Sequence, residues 1–186
     1  MFFFAKREVL QVNYVIRLAR TGDAQSLSAI RLQIDGETEN LDREAGEDFM
    51  DEQAFRDLIE ADSKAAHNLF LVAETEGKLV GFSRCEGSTL NRSKHKVTFG
   101  VAILKAYWGF GIGSELLHHA IQWAGTHEIT KITLNVLETN KKAILLYQKA
   151  GFEIEGCLKN DKRLADGNYY STILMSRIHE KSSRQS

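Results

Sequence analysis

Three glycines alternate with larger residues in Trp108-Gly109-Phe110-Gly111-Ile112-Gly113-Ser114. An apolar run at 97–104 precedes this segment. Residues 111–126 follow, with Ile112, Leu116, Leu117, Ala120, Ile121 and Ala124 at helical spacing. A strand must therefore turn into a helix here. Glycine lacks a Cβ, so the turn can bring backbone close to a ligand. The first turn of the helix leaves N–H groups unpaired, and the helix dipole makes that end positive. Together these features suit a phosphate or pyrophosphate. They suit a plain packing turn equally well, and the segment alone favours neither.

Two familiar phosphate loops do not fit. The spacing G-x-G-x-x-G of a dinucleotide-binding turn is absent, because these glycines repeat every second residue. The segment also lies late in the chain, not in an opening βαβ unit. A Walker loop needs Gly-Lys followed by Ser or Thr, whereas Gly113 precedes Ser114-Glu115.

The rest of the chain reads as alternating strands and helices. A first strand is expected at 14–19. Thr21-Gly22-Asp23 then offers a cap for a helix at 24–33. A second helix is expected at 52–61. Runs at 69–74 and 78–85 flank Glu76-Gly77, a hairpin signal. Residues 131–137 alternate as a strand. A short helix at 140–150 ends at Gly151, which suits a C-terminal cap. Strands at 152–156 and 169–176 complete the order β-α-α-β-β-β-α-β-α-β-β. That order predicts one mixed α/β sheet with helices on its faces. The chain contains no proline, so its turns rely on Gly, Asn and Asp.

Composition narrows the function. Among 186 residues, 43% are apolar and 26% charged, enough for one continuous core. The net charge is −1, and no basic stripe points to nucleic acid. The opening Met1-Phe2-Phe3-Phe4-Ala5 is closed by Lys6 and Arg7, too short for a signal peptide. No run reaches the roughly twenty apolar residues of a membrane span. The expectation is a cytoplasmic protein without membrane contact. It is also expected to hold no metal, because Cys85 and Cys157 form no ligand cluster. One domain is expected over 1–178, with a disordered tail at 179–186.

A second motif runs from Asn140 to Phe152, as N-x-x-A-x-x-x-Y-x-K-A-G-F. Asn140 and Tyr147 lie seven apart and share a helix face. Read singly, Asn140 is first of all an N-cap and Tyr147 a core aromatic. The two motifs together resemble the GNAT superfamily of acyl-CoA-dependent N-acyltransferases, over about residues 14–178. The resemblance is specific from 97 to 156. In that family the glycine motif is usually Q/R-x-x-G-x-G/A. Gly111 and Gly113 match it, and Trp108 stands at the Gln/Arg place.

The resemblance implies a GNAT-like fold, a mostly antiparallel sheet splayed between two strands, with helices on both faces. It also implies acetyl-CoA as donor. Backbone groups of Val101, Ala102 and Ile103 would pair with the pantetheine arm. N–H groups of Gly109, Phe110, Gly111, Ile112, Gly113 and Ser114 would hold the pyrophosphate. Asn140 would touch the cofactor across the splay, and Tyr147 would be the acid beside the thioester sulfur. The acceptor would be the primary amine of a small molecule of amino-acid, polyamine or amine-antimetabolite type. A protein N-terminus or lysine, or no catalysis at all, are the alternatives. A homodimer is expected by analogy.

The base has no clear owner. Some relatives carry Glu where this chain has Asn135 or Thr98, and Ser171 stands where Asp is frequent. Glu37, Glu86 and His95 are candidates, as is a water relay. Residues 35–62 hold twelve carboxylates against Arg43 and Arg56. They form either a rim that attracts a cationic amine or a solvated face.

Overall fold

The computed structural model describes residues 12–179. The apolar opening and residues 180–186 of the expected tail lie outside the described residues. Seven strands form one sheet: β1 (Val15–Leu18), β2 (Leu69–Thr75), β3 (Lys78–Gly87), β4 (Lys96–Ile103), β5 (Lys131–Leu137), β6 (Glu153–Arg163) and β7 (Tyr169–Ile178). Their order is β1-β2-β3-β4-β5-β7-β6. Only β4 and β5 run parallel, and they pair only over Lys96–Thr98 and Lys131–Thr133. Parallel neighbours need a crossover, and helix α3 (Ile112–Thr126) supplies it.

Helices α1 (Ala24–Glu37) and α2 (Glu52–Lys64) pack together on one face of the sheet, and α3 lies on the other. Side chains on β3 and β4 fix these sides. Arg84 points at Asp62 of α2, with Nε to Oδ2 at 2.6 Å. Ile103 points the opposite way, where a Cβ added to Gly113 of α3 would meet its Cδ1 at 3.2 Å. The core between the layers includes Leu27, Phe55, Val72, Val80, Leu116, Leu117 and Leu134. Helix α4 (Lys141–Lys149) adds Tyr147 and Phe152 follows it into the same core.

The element order expected from periodicity is the order found, and several boundaries and one cap differ. Helix α1 continues past Gln33 to Glu37 through Gly36. Strand β6 begins at Glu153 and runs on to Arg163, well past Gly156. Its residues are nearly all exposed, so no apolar alternation marked it. Its pairing with β7 slips between Leu158 and Lys162, and Asn160 there has φ +53°. Asp23 does not cap α1 through its side chain. A 3-10 turn occupies Thr21–Asp23 instead, and the Asp23 carboxylate accepts from both Arg17 and the Arg20 N–H.

One buried ion pair ties the α-layer to the sheet. Asp62 is 5% exposed and holds Arg84, and it also accepts from Asn68 Nδ2 at 2.7 Å. Asn68 in turn accepts from the Gly87 N–H at 2.9 Å. Removing Asp62 leaves Arg84 only its outer pair with Glu86 and strands the Asn68 amide. We expect Asp62→Ala to cost about 3 kcal/mol. In a chain of this size that lowers the melting temperature by roughly 6–12 °C. An unchanged melt would show that solvent replaces the pair.

Candidate active site

The site begins where the sheet opens. Thr98 and Thr133 form the last paired rung, and their hydroxyls lie 3.2 Å apart. Beyond them β4 and β5 part. The Leu104 N–H donates to the Val80 carbonyl at 3.0 Å, so the even-numbered residues of β4 turn their backbone toward β3. Phe99, Val101 and Ile103 therefore turn theirs toward β5, and past the rung that the Phe99 N–H closes, Val101 and Ile103 face the gap. Ala102 spends its N–H and C=O in the ladder. Of the three residues expected to pair with the cofactor arm, Val101 and Ile103 face the gap.

The glycine segment follows directly. Gly109 and Gly111 have φ of +85° and +87°, conformations that an L side chain would strain. Gly111 is the N-cap of α3, and the Glu115 N–H is the first to reach back to its carbonyl, at 3.1 Å. The N–H groups of Ile112, Gly113 and Ser114 are left without intrahelical partners. Gly113 is small for a different reason, its close approach to Ile103. Ile103 anchors the segment a second time, because its carbonyl accepts from Trp108 Nε1 at 2.8 Å. Trp108 thus fills one acceptor on the open edge of β4. Ile112 is 1% exposed and serves the core, and Phe110 is half-buried.

Tyr14 is a neighbour that sequence patterns do not signal. Its hydroxyl lies 3.5 Å from where a Gly111 Cβ would be. Burial, with the Glu115 charge behind it, raises its phenol above the ordinary value.

The far side of the gap is β5, and α4 follows it in the chain. Asn140 is the N-cap of α4, and its Oδ1 accepts from the Ala143 N–H at 3.3 Å. Tyr147 is 8% exposed and tilts against Phe152, with ring centroids 5.9 Å apart. Burial pushes its phenol up to about 12. Full proton transfer to a thiolate of pKa about 8.5 would then be uphill by about 5 kcal/mol. A hydrogen bond from the protonated hydroxyl is the role its environment allows.

The candidate bases are spread apart. Glu37 Oε1 accepts from Gln33 Nε2 at 2.8 Å, and its Oε2 from the Lys105 N–H at 2.6 Å. Glu86 pairs with Arg84 at 2.9 Å. His95 precedes the closed end of the β4–β5 pair, where its carbonyl accepts from Thr130 and Lys131. Asn135 is exposed on β5, past the last rung. The Ser171 N–H donates to Glu138 Oε1 at 2.6 Å.

The acidic stretch is mostly employed in holding the structure. Asp35 receives Arg31 and Arg43, and Asp48 receives Arg31. Asp51 caps α2 through the Ala54 N–H. Asp42 pairs with Lys162, and Glu39 Oε1 accepts from the Ala165 N–H at 2.8 Å. Residues 38–51 therefore form a strap. It starts beside the end of β4 and is tied to the β6–β7 hairpin, next to the end of β5. With β4 and β5 it encloses a three-sided window. A separate small recess under the strap, lined by Ser28, Arg31, Asp35, Gly46 and Met50, does not include the glycine segment.

Among the described residues no cluster of His, Cys, Asp and Glu could hold a metal, and no helix is long and apolar enough to cross a membrane. Cys85 is 1% exposed, and burial pushes its thiol up to about 12. Cys157 is exposed. The expected outcome with Ellman's reagent at pH 8 is one reactive thiol in the folded protein and a second only on unfolding. Two fast thiols would contradict the burial of Cys85.

Four similarities to known proteins bear on this arrangement. The model of the acetyltransferase (GNAT) family matches residues 35–152. An L-amino acid N-acetyltransferase of Escherichia coli (strain K12) is 31% identical over 109 residues, 58% of this chain and 67% of that protein. A GNAT-family acetyltransferase structure from Streptococcus pneumoniae superposes with a TM-score of 0.87 at 27% identity, covering 90% of this chain and all of the other. The structure of an acetyltransferase from Salmonella typhimurium with its cofactor acetyl-CoA shares the fold, with a TM-score of 0.79 at 19% identity, over 94% and 98% of the two chains. The family match covers well over half of the chain and spans both motifs of the window, and the chain belongs to the GNAT family of acetyl-CoA-dependent N-acetyltransferases.

Proposed function

We propose that this enzyme acetylates the primary amine of a small molecule, with an α-amine of amino-acid type as the leading acceptor. The observation that carries the reading is the unpaired edge of β4, which ends at a helix N-terminus. An amide-bearing arm can pair with such an edge as a strand would, and its pyrophosphate can take the free N–H groups of α3. The chain's own residues then have definite tasks. Val101 and Ile103 orient the arm, and the segment Gly109–Ser114 holds the phosphates. The Val101 N–H lies where it can donate to the oxyanion formed as the amine attacks the thioester carbonyl. The C–S bond breaks as that oxyanion collapses, and Tyr147 hydrogen-bonds the departing thiolate. Asn140 borders the cofactor from the α4 side.

Acceptor chemistry follows from the placement of the three candidate bases among the described residues. Glu37 and Glu86 are engaged, and His95 is at the wrong end. Solvent in the window is left to take the ammonium proton. A peptide α-amine near pKa 7.8 is about one-seventh neutral at pH 7, whereas an amine near 10.4 is less than a thousandth neutral. A free amino acid's α-amine lies between the two, because its carboxylate favours the ammonium form, so the difference disfavours lysine-type amines without itself selecting amino acids. The similarity to an enzyme named for L-amino acids agrees with it. The strap across the window favours a small acceptor over a protein segment. A homodimer and a cytoplasmic setting belong to the same proposal, by analogy.

Calorimetric titration with acetyl-CoA tests the donor site. Micromolar binding is expected, weakened at least about tenfold in Gly111→Glu and in Ser114→Glu, which places the charge without a strained φ. Folding of both is checked by melting. Wild-type protein that does not bind would end the reading. A second test concerns Tyr147. Tyr147→Phe should lower kcat about tenfold to a hundredfold while leaving acetyl-CoA affinity within twofold. Because the phenol titrates near 12, wild-type kcat should show no falling limb from it below pH 10. A falling limb there that vanishes in the Phe variant would overturn the assignment.

A further inference from the structure

We infer that Glu37 is a positioning residue that couples the cofactor segment to the acceptor-side strap. The inference rests on the acetyl-CoA reading. Glu37 is the last residue of α1, and the strap starts at the next residue. Its Oε2 accepts the Lys105 N–H at 2.6 Å. Lys105 opens the 3-10 turn Lys105–Tyr107 that carries β4 into the glycine segment. One carboxylate therefore joins the entrance of the cofactor loop to the root of the strap, across 68 residues of chain.

The neighbouring bonds decide what such a joint can transmit. Gln33 Nε2 fixes the other oxygen, so the carboxylate is held on both sides. Asp35, 3% exposed in its side chain, receives Arg43 of the strap, and Arg31 reaches Asp48 farther along it. The end of α1 and the strap are thus joined at two points into one ion-paired body. Glu39 and Asp42 tie that body to the hairpin at Ala165 and Lys162. Among the described residues, Glu37 is the hydrogen-bonded link from the strap's root to the turn that enters the cofactor segment. Cofactor bound on that segment would settle the Lys105 turn, and Glu37 would pass the ordering on to the strap. Acceptor binding would then be favoured after the donor, without contact between the donor phosphates and the strap.

Hydrogen exchange with and without coenzyme A, on wild type, Glu37→Ala and Glu37→Gln, tests this. Gln keeps an oxygen that can accept from the Lys105 N–H, and Ala does not. Coenzyme A should slow exchange at 108–114 in all three proteins. At 38–47 it should slow exchange roughly fivefold or more in wild type and Glu37→Gln, the lower end of ordinary coupling between sites, and not in Glu37→Ala. Equal strap protection in Glu37→Ala overturns the coupling role, as does a wild-type strap that never responds. A variant that merely loosened the fold would exchange faster at 38–47 without ligand yet keep the ligand effect, which also overturns it. If coenzyme A changes nothing at 108–114 even in wild type, the donor-site reading itself fails, a result distinct from the others.

Discussion

The parting of β4 from β5 after Thr98 and Thr133 governs the rest of this molecule. A strand inside a sheet normally spends its N–H and C=O groups on both neighbours. Here Val101 and Ile103 lose one neighbour in the middle of a seven-stranded sheet. The backbone groups so released make a polar slot within an otherwise apolar layer. The rest of the site is arranged around that slot. The glycine segment follows the end of β4, and β5 with α4 after it stands on the far side. Ile103 does double duty, packing on Gly113 through its side chain and receiving Trp108 through its carbonyl.

Much of this was legible in the sequence, for reasons that particular residues make plain. Helical spacing at Ile112, Leu116, Leu117, Ala120 and Ala124 placed α3, since all five are buried. The same three-glycine segment marked the turn, and two of its glycines do have positive φ. Strand β6 was cut short because an outer strand with both faces exposed carries no alternation to read. Tyr14 was missed because it reaches Gly111 from nearly a hundred residues away, and no local pattern encodes that approach. Which residues of 101–103 face the gap was also illegible. That depends on the parity of the β3–β4 hydrogen bonds, not on side-chain type.

The acidic stretch illustrates what composition leaves open. Twelve carboxylates in 28 residues fit either a field aimed at a cation or a solvated face. In the fold most of them serve as caps, ion pairs or acceptors for backbone N–H groups. Surface pairs of this kind contribute little to stability individually. Their effect here is geometric. Asp35, Asp42 and Asp48 hold one segment across an opening that two strands alone would leave unguarded.

The slip in β6 has a consequence for how copies of this chain behave at high concentration. Strand β6 is the outermost of the sheet and eleven residues long, with Ile154 and Leu158 exposed. A flat outer strand of that length would template the addition of foreign strands, the first step of fibrous aggregation. Asn160 at φ +53° breaks its regularity, and Lys159, Asp161 and Lys162 surround the break with charge. The hairpin end that the strap grips is thereby also a guard against open-ended stacking.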